Sequence, residues 1–176
     1  MDQSALAYAR GPGWQAVDLV YDGAGLAMAV IVPDAGRLAE VTKGFDADFL
    51  RSLLAQLQPT GVALQLPRWT FRTQVLLNDP LKELGMPTAF TDDADFSGMT
   101  HDLQLAIAAV VHEAFIAVDE QGTEAAAATA VVMREVSARM IDVELTVDRP
   151  FLFVLHDTAT GTPLFIGRVS DPTAAR

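Results

Sequence analysis

The sequence predicts an α+β fold, mostly antiparallel β-sheets with a few helices laid against them. Three observations carry this expectation. Short apolar runs rich in β-branched and aromatic residues recur along the chain, and most end at Gly, Pro or an Asp-Gly pair. The stretch from Asp46 to Leu57 instead repeats its apolar residues at helical spacing. With 176 residues, 51% of them hydrophobic, the chain is long enough for one domain with its own core.

The elements follow in order. Ala5 to Ala9 is a short apolar stretch, and Gly11-Pro12-Gly13 makes a turn. Gln15 to Tyr21 reads as a strand, and Asp22-Gly23 as a hairpin turn. Leu26 to Val32 is almost continuously apolar, the pattern of a strand buried on both faces, and Pro33-Asp34-Ala35-Gly36 ends it. Arg37 to Thr42 predicts a short helix. Asp46 to Leu57 predicts a longer one, with Asp46 as its cap and Phe49, Leu50, Leu53, Leu54 and Leu57 on one face. Pro59-Thr60-Gly61 stops it. Val62 to Pro67 returns to strand, and Thr70 to Val75 continues it. Pro80 to Leu84 reads as a short helix closed by Gly85, and Thr91 to Thr100 as a polar loop. Leu105 to Val118 is predicted as one long apolar strand, interrupted by His112 and Glu113. Three strands close the chain: Asp142 to Val147, Phe151 to Leu155 and Pro163 to Val169. Asp157 to Gly161 turns between the last two.

Bulk composition excludes several functions. A net charge of −11 argues against nucleic acid and against an anionic membrane surface, since both need a basic face. Without cysteine there is no disulfide, thiol nucleophile or thiolate metal site. No apolar run reaches spanning length, and Met1-Asp2-Gln3-Ser4 shows no secretory signal, so a soluble chain is expected. No Gly-x-Ser-x-Gly elbow and no paired acid and base appear, so no catalytic residue is expected. His101 and His156 sit beside Asp102 and Asp157 but lack a third ligand at metal spacing. Asp92, Asp93 and Asp95 read as a solvated loop rather than a calcium site. Neither a metal nor a cofactor is expected. Trp14 and Trp69 read as packing residues at strand ends.

The run Glu120-Gln121-Gly122-Thr123-Glu124-Ala125-Ala126-Ala127-Ala128-Thr129-Ala130 carries the most information. Its local pattern fits a helix start, with Thr123 as cap and alanines following. It equally fits an exposed loop that must later enter a packed sheet, because small side chains meet no steric brake on entry.

The surrounding segments favour the second reading. Leu84-Gly85-Met86, Ala89-Phe90 and Ala94-Asp95-Phe96-Ser97-Gly98-Met99 occur in that order. Val111-His112-Glu113-Ala114-Phe115 precedes the alanine run, while Arg149-Pro150-Phe151-Leu152-Phe153 and Leu164 to Pro172 follow it. Together these resemble the serpins, the serine-protease-inhibitor superfamily, over essentially the whole chain. The resemblance covers only about the family's second half. Met1-Asp2-Gln3 resembles the residues just after the third strand of its main sheet. The N-terminal helices and the first strands of that sheet are therefore expected to be missing, and the C-terminus to be complete.

The resemblance implies a partial serpin domain over residues 1–176, with hinge and reactive-centre loop at about 120–141 and closing strands at about 142–172. It implies a serine-type protease inhibitor that acts as a suicide substrate, by loop cleavage and strand insertion. The hinge would be Gly122, Thr123, Glu124, Ala125, Ala126, Ala127, Ala128 and Thr129. Family spacing puts the reactive bond between Val136 and Ser137, which suits an elastase-like serine protease. Arg134 and Arg139 are alternatives that suit a trypsin-like one, and Met133 is a further alternative. His112 resembles a histidine at the centre of the main sheet that helps to control sheet opening. Its partner would lie in the absent half, so in this chain alone the plainer reading is a strand histidine with no special role. Further expected partners are a separate N-terminal serpin segment and a second copy through self-association. An extracellular setting is expected for the parent family. The alternative is a truncated or non-inhibitory fragment that is cut, or self-associates, without trapping protease.

Overall fold

The structure, a computed structural model, describes residues 5–23, 25–119, 122–123 and 141–172. These fall into two compact units, Met1–Trp69 with Ala117–Arg176, and Thr70–Ile116. The fold is α+β with mostly antiparallel sheet, as the sequence predicts.

The first unit begins with three strands, β1 (Leu6–Gly11), β2 (Trp14–Val20) and β3 (Leu26–Pro33). Two helices follow, α1 (Leu38–Lys43) and α2 (Ala47–Gln56), then β4 (Gln58–Thr60) and β5 (Val62–Gln65). In the second unit lie β6 (Trp69–Leu76, its first residue in unit one), α3 (Asn78–Glu83) and a 3-10 turn at Thr88–Phe90. β7 (Val111–Asp119) runs from the second unit back into the first. There it is followed by β8 (Gly122–Thr123), β9 (Val143–Thr146), β10 (Phe151–Asp157) and β11 (Pro163–Val169).

A six-stranded antiparallel sheet, β11-β10-β3-β2-β1-β4, organises the first unit. β3 is its centre, paired with β2 on one side and β10 on the other, and it is buried from Ala27 to Pro33. That is why its sequence is apolar without alternation: both faces are covered. One face presents Ala16, Ala29, Ile31, Leu152 and Val154 to Leu50 and Leu53 of α2. The alanines let the helix approach closely. Leu53, with no solvent exposure, contributes roughly 1.5–3 kcal/mol by its burial. The opposite face carries Val17, Val30, Phe151 and Phe153, alternate residues of the same strands. Trp69 closes over it, its ring 5.2 Å from Phe151 and 5.8 Å from Phe153.

α2 starts where the sequence places it. The Asp46 carboxylate accepts from the Phe49 amide at 2.8 Å, and Phe49 meets the Trp14 ring edge-on at 5.4 Å. The turn from β1 to β2 needs glycine at position 13. Its φ is +86°, and the Arg37 guanidinium occupies the space a Cβ would take.

Four local expectations change. Pro59-Thr60-Gly61, read as a stop signal, overlaps a short edge strand on β1, Gln58–Thr60; Pro59 is tolerated because an edge strand needs only half its backbone groups paired. β5 and β9 pair in parallel, the exception in a mostly antiparallel fold. α3 begins at Asn78, before Pro80, and Gly85 follows its end at φ +104°.

The fourth change lies in the second unit. The strand expected over Leu105 to Val118 is confined to Val111–Asp119. Upstream, a side chain replaces a strand partner: Asn78 Oδ1 accepts from the Val110 amide at 2.8 Å, and its Nδ2 donates to the Ala108 carbonyl at 2.9 Å. The Leu77 amide donates to Val110 O at 2.8 Å, and the Ile107 amide to Ala89 O at 2.9 Å. Asn78→Ala is therefore expected to destabilise this unit by about 1–2 kcal/mol. The Val110 amide should lose its protection in native-state hydrogen exchange. Unchanged protection there would mean that Asn78 does not hold the segment.

Candidate functional site

The candidate site is the stretch that follows β7. Within the second unit β7 lies beside β6, where Arg72 pairs with Glu113 and stands 5.3 Å above the Phe115 ring. β7 leaves this unit with Ile116 and Val118 buried. Two backbone pairs then bring the chain back on itself, Val118 opposite Thr123 and Asp119 opposite Gly122. The first two hinge candidates, Gly122 and Thr123, thus have extended backbone laddered to the end of β7. Glu124, Ala125, Ala126, Ala127, Ala128 and Thr129 lie outside the described residues, as do Val136, Ser137, Met133, Arg134 and Arg139.

The described chain resumes at Ile141 and is tied down at once. The Asp142 amide donates to Gly61 O at 2.8 Å, and Asp142 Oδ2 accepts from the Gly61 amide at 3.1 Å. β9 then runs beside β5, with Leu145 buried. In the first unit, both ends of the loop region are thus fastened by backbone hydrogen bonds.

His112 is an exposed residue of β7, in the second unit. His101 is exposed as well. His156 is not: it is 3% exposed and its Nε2 lies 2.9 Å from Oδ1 of Asp18, itself 8% exposed. Sequence reasoning placed His156 only beside Asp157 and did not single out Asp18. The pair floors a cleft of about 620 Å³ in the first unit, walled by Leu50, Leu54 and Val20 and by the turn from Thr158 to Pro163. A signal existed in the sequence: each is the sole polar residue on the inner face of an otherwise apolar strand. Their pairing, across 138 positions, was not legible.

In the second unit, Asp95 Oδ1 accepts from the Ser97 amide at 3.0 Å. Hydrogen bonds from Ser97 hold the Asp95 carboxyl below its ordinary range. Asp95 is thus satisfied locally, by Ser97. Among the described residues no group of three or more His, Asp or Glu side chains is arranged to hold a metal ion. No described helix is long and apolar enough to cross a membrane.

The chain is similar to known proteins over nearly all its length. The family model for serpins, described as serine protease inhibitor, matches residues 1–172. An uncharacterized serpin-like protein of Thermococcus kodakarensis is 39% identical over 168 residues, spanning 94% of this chain and 39% of that protein. Serpin B4 of Homo sapiens is 38% identical over 159 residues, spanning 89% of this chain and 41% of that protein. Tengpin, a thermophilic serpin solved in its native state, superposes with a TM-score of 0.82 at 30% identity, over 93% of this chain and 43% of that one. The chain therefore spans about two fifths of the length of the relatives it matches. By the family match over residues 1–172, it belongs to the serpins.

Proposed function

We propose that this chain is the loop-bearing C-terminal portion of an inhibitory serpin, and that residues 120–141 are bait for a serine protease. The observation that carries the reading is the stretch from Gly122 to Thr129, small at every position but Glu124, which follows β7 closely in sequence. The protease's serine attacks the carbonyl carbon of Val136, the amine of Ser137 leaves, and an acyl-enzyme forms. The freed loop then enters the sheet beside β7 as a new strand before water can hydrolyse the ester, carrying the protease with it. Inhibition needs no catalytic group from the inhibitor. Gly122 supplies the swing, Thr123 is the first side chain to be covered, and Ala125 to Ala128 pass without a steric brake. Valine at the reactive bond suits an elastase-like pocket; a bond at Arg134 or Arg139 suits a trypsin-like one. Extracellular action, and completion of the sheet by an N-terminal serpin segment, belong to the same proposal.

A second reading has its own observation. Val111 and Phe115 of β7 are 57% and 44% exposed, and Leu164, Phe165 and Ile166 of β11 are exposed too. Apolar side chains on strands invite further pairing. On this reading the loop is cut without a trap, and copies associate with one another.

One experiment separates the two. The chain is incubated with an elastase-like and a trypsin-like protease and read on a denaturing gel with intact-mass analysis. A denaturant-resistant band at the summed mass is the expected result for an inhibitor. Clean cleavage next to Val136 with no adduct would favour the second reading, and cleavage confined to Arg134 or Arg139 would move the reactive bond.

A further inference from the structure

We propose that His156 and Asp18 form a buried, proton-dependent ionic clasp that fastens the β10–β11 hairpin across β3 to β2. The inference stands on the first unit alone and is independent of the inhibitory reading.

Both ring nitrogens of His156 face acceptors. Nε2 lies 2.9 Å from the Asp18 carboxylate, and Nδ1 lies 3.2 Å from the Asp157 backbone carbonyl. Neither oxygen has a proton to give when Asp18 is ionised. A neutral imidazole carries one N–H and satisfies one of these contacts; the imidazolium carries two and satisfies both. The side chains are 4% and 8% exposed, so each relies chiefly on its protein partner.

Topology explains how the two meet. His156 lies opposite Ala27, and Asp18 opposite Ala29, both on the intervening strand β3. The two alanines are fully buried and leave room for a polar contact to pass over the strand between them. Leu or Ile at position 27 would fill that space.

The other charged groups are few. β3 contributes none. α2 contributes Arg51, which lines the same cleft and is paired with Asp48. The turn after β10 contributes the Asp157 carboxylate, which accepts from the amides of Ala159 and Thr160 and from the Thr160 hydroxyl. Hydrogen bonds from Thr160 chiefly hold that carboxyl below its ordinary range, and positive charge on His156 lowers it further. Asp18 is thus the buried counter-charge of His156.

The sign of the pH dependence follows. The clasp is complete when His156 is protonated and Asp18 ionised. As pH rises and the ring gives up a proton, the contact to Asp157 is lost, and Asp18 keeps an Nε2–H donor but loses the positive charge that offset its own. As pH falls far enough to protonate Asp18, the ring charge is left alone instead. The hairpin is held best between these limits.

The test begins on the unmutated protein, because its three histidines give few signals to assign. Nitrogen-15 shifts of the imidazole rings, followed from about pH 6 to about pH 9, should show His156 losing its Nδ1 proton while Nε2 keeps the one shared with Asp18. A ring that holds a single proton throughout, or that gives up the Nε2 proton first, overturns the proposal. Urea unfolding of His156→Gln, Asp18→Asn and the double variant, at about pH 6 and pH 9, then gives the coupling. The expected coupling is tenfold or more in the folding equilibrium at the lower pH and smaller by about threefold or more at the higher. Equal coupling at both would overturn the proton dependence. Should a single variant fail to fold, the ring-nitrogen measurement still decides.

Discussion

Thr123→Arg, in a full-length inhibitory serpin carrying this chain's loop, is expected to turn trapping into plain cleavage. On the proposed mechanism Thr123 is the first side chain after Gly122 to be covered when the loop enters the sheet. Threonine is small and mildly polar. An arginine there keeps its charge at any accessible pH, and it would enter with no partner. Burying an unpaired charge costs several kcal/mol. Taking about 3 kcal/mol, and tenfold per 1.4 kcal/mol, insertion slows on the order of 100-fold. Deacylation is not slowed, because the protease supplies that chemistry. The measurement is the molar ratio of inhibitor to protease needed for full inhibition, together with the adduct band. The ratio should climb steeply and the band should vanish, while cleavage of the loop continues at its former rate. Thr123→Ser should leave both unchanged. Undiminished trapping by the arginine variant would mean that Thr123 is not covered on insertion, and the hinge would have to be placed elsewhere.

Local signals in the sequence were dependable where one short stretch contained both the cause and its effect. Asp46 stands three residues before the amide it caps, and the α2 boundary follows. Glycines 13, 23 and 161 adopt the positive φ that a tight turn requires, and all three turns fall where expected. The apolar run of β3 has one explanation, burial on both faces, and that is what the sheet provides. The failures share a different cause: the partner is remote. Asn78 holds Val110 from 32 positions away. The parallel pairing of β5 with β9 joins Val62 to Val143. Asp18 and His156 read separately as lone polar residues in strands, and only the register of β2, β3 and β10 brings them together. The loop is the reverse case. Its composition speaks clearly, but composition alone does not say whether small residues serve a helix or a strand that must enter a sheet. The ladder between Gly122-Thr123 and the end of β7 supports the strand, since it already extends the backbone in the direction that insertion would continue.

Gly167→Val is expected to destabilise the first unit by about 3 kcal/mol, for reasons of space rather than of backbone conformation. Gly167 lies on β11 directly opposite Phe153 of β10, and the phenyl ring leans across the place where a side chain would begin. A Cβ at position 167 would sit 2.2 Å from Phe153 Cζ and 2.4 Å from Cε1. Cζ is the far end of a side chain, so the clash would be cheap if the ring could swing away. It has little freedom to do so: Phe153 is 2% exposed and packs against Trp69, which is 1% exposed and also packs on Phe151. Moving one ring moves three. Against this stands the ordinary cost of glycine in a strand, roughly 0.5–1 kcal/mol relative to alanine. Overpacking costs about 1–3 kcal/mol, so Gly167→Ala should be destabilising by a small net amount and Val by more. Phe153→Leu provides the control. Alone it removes buried ring area and lowers stability, but it also vacates the space above Gly167. Adding Gly167→Ala to it should then cost nothing, or restore a few tenths of a kcal/mol, in urea unfolding. If Gly167→Ala costs the same with Leu at 153 as with Phe, the ring is not what excludes a side chain there. The glycine would then be serving whatever packs against the outer edge of β11.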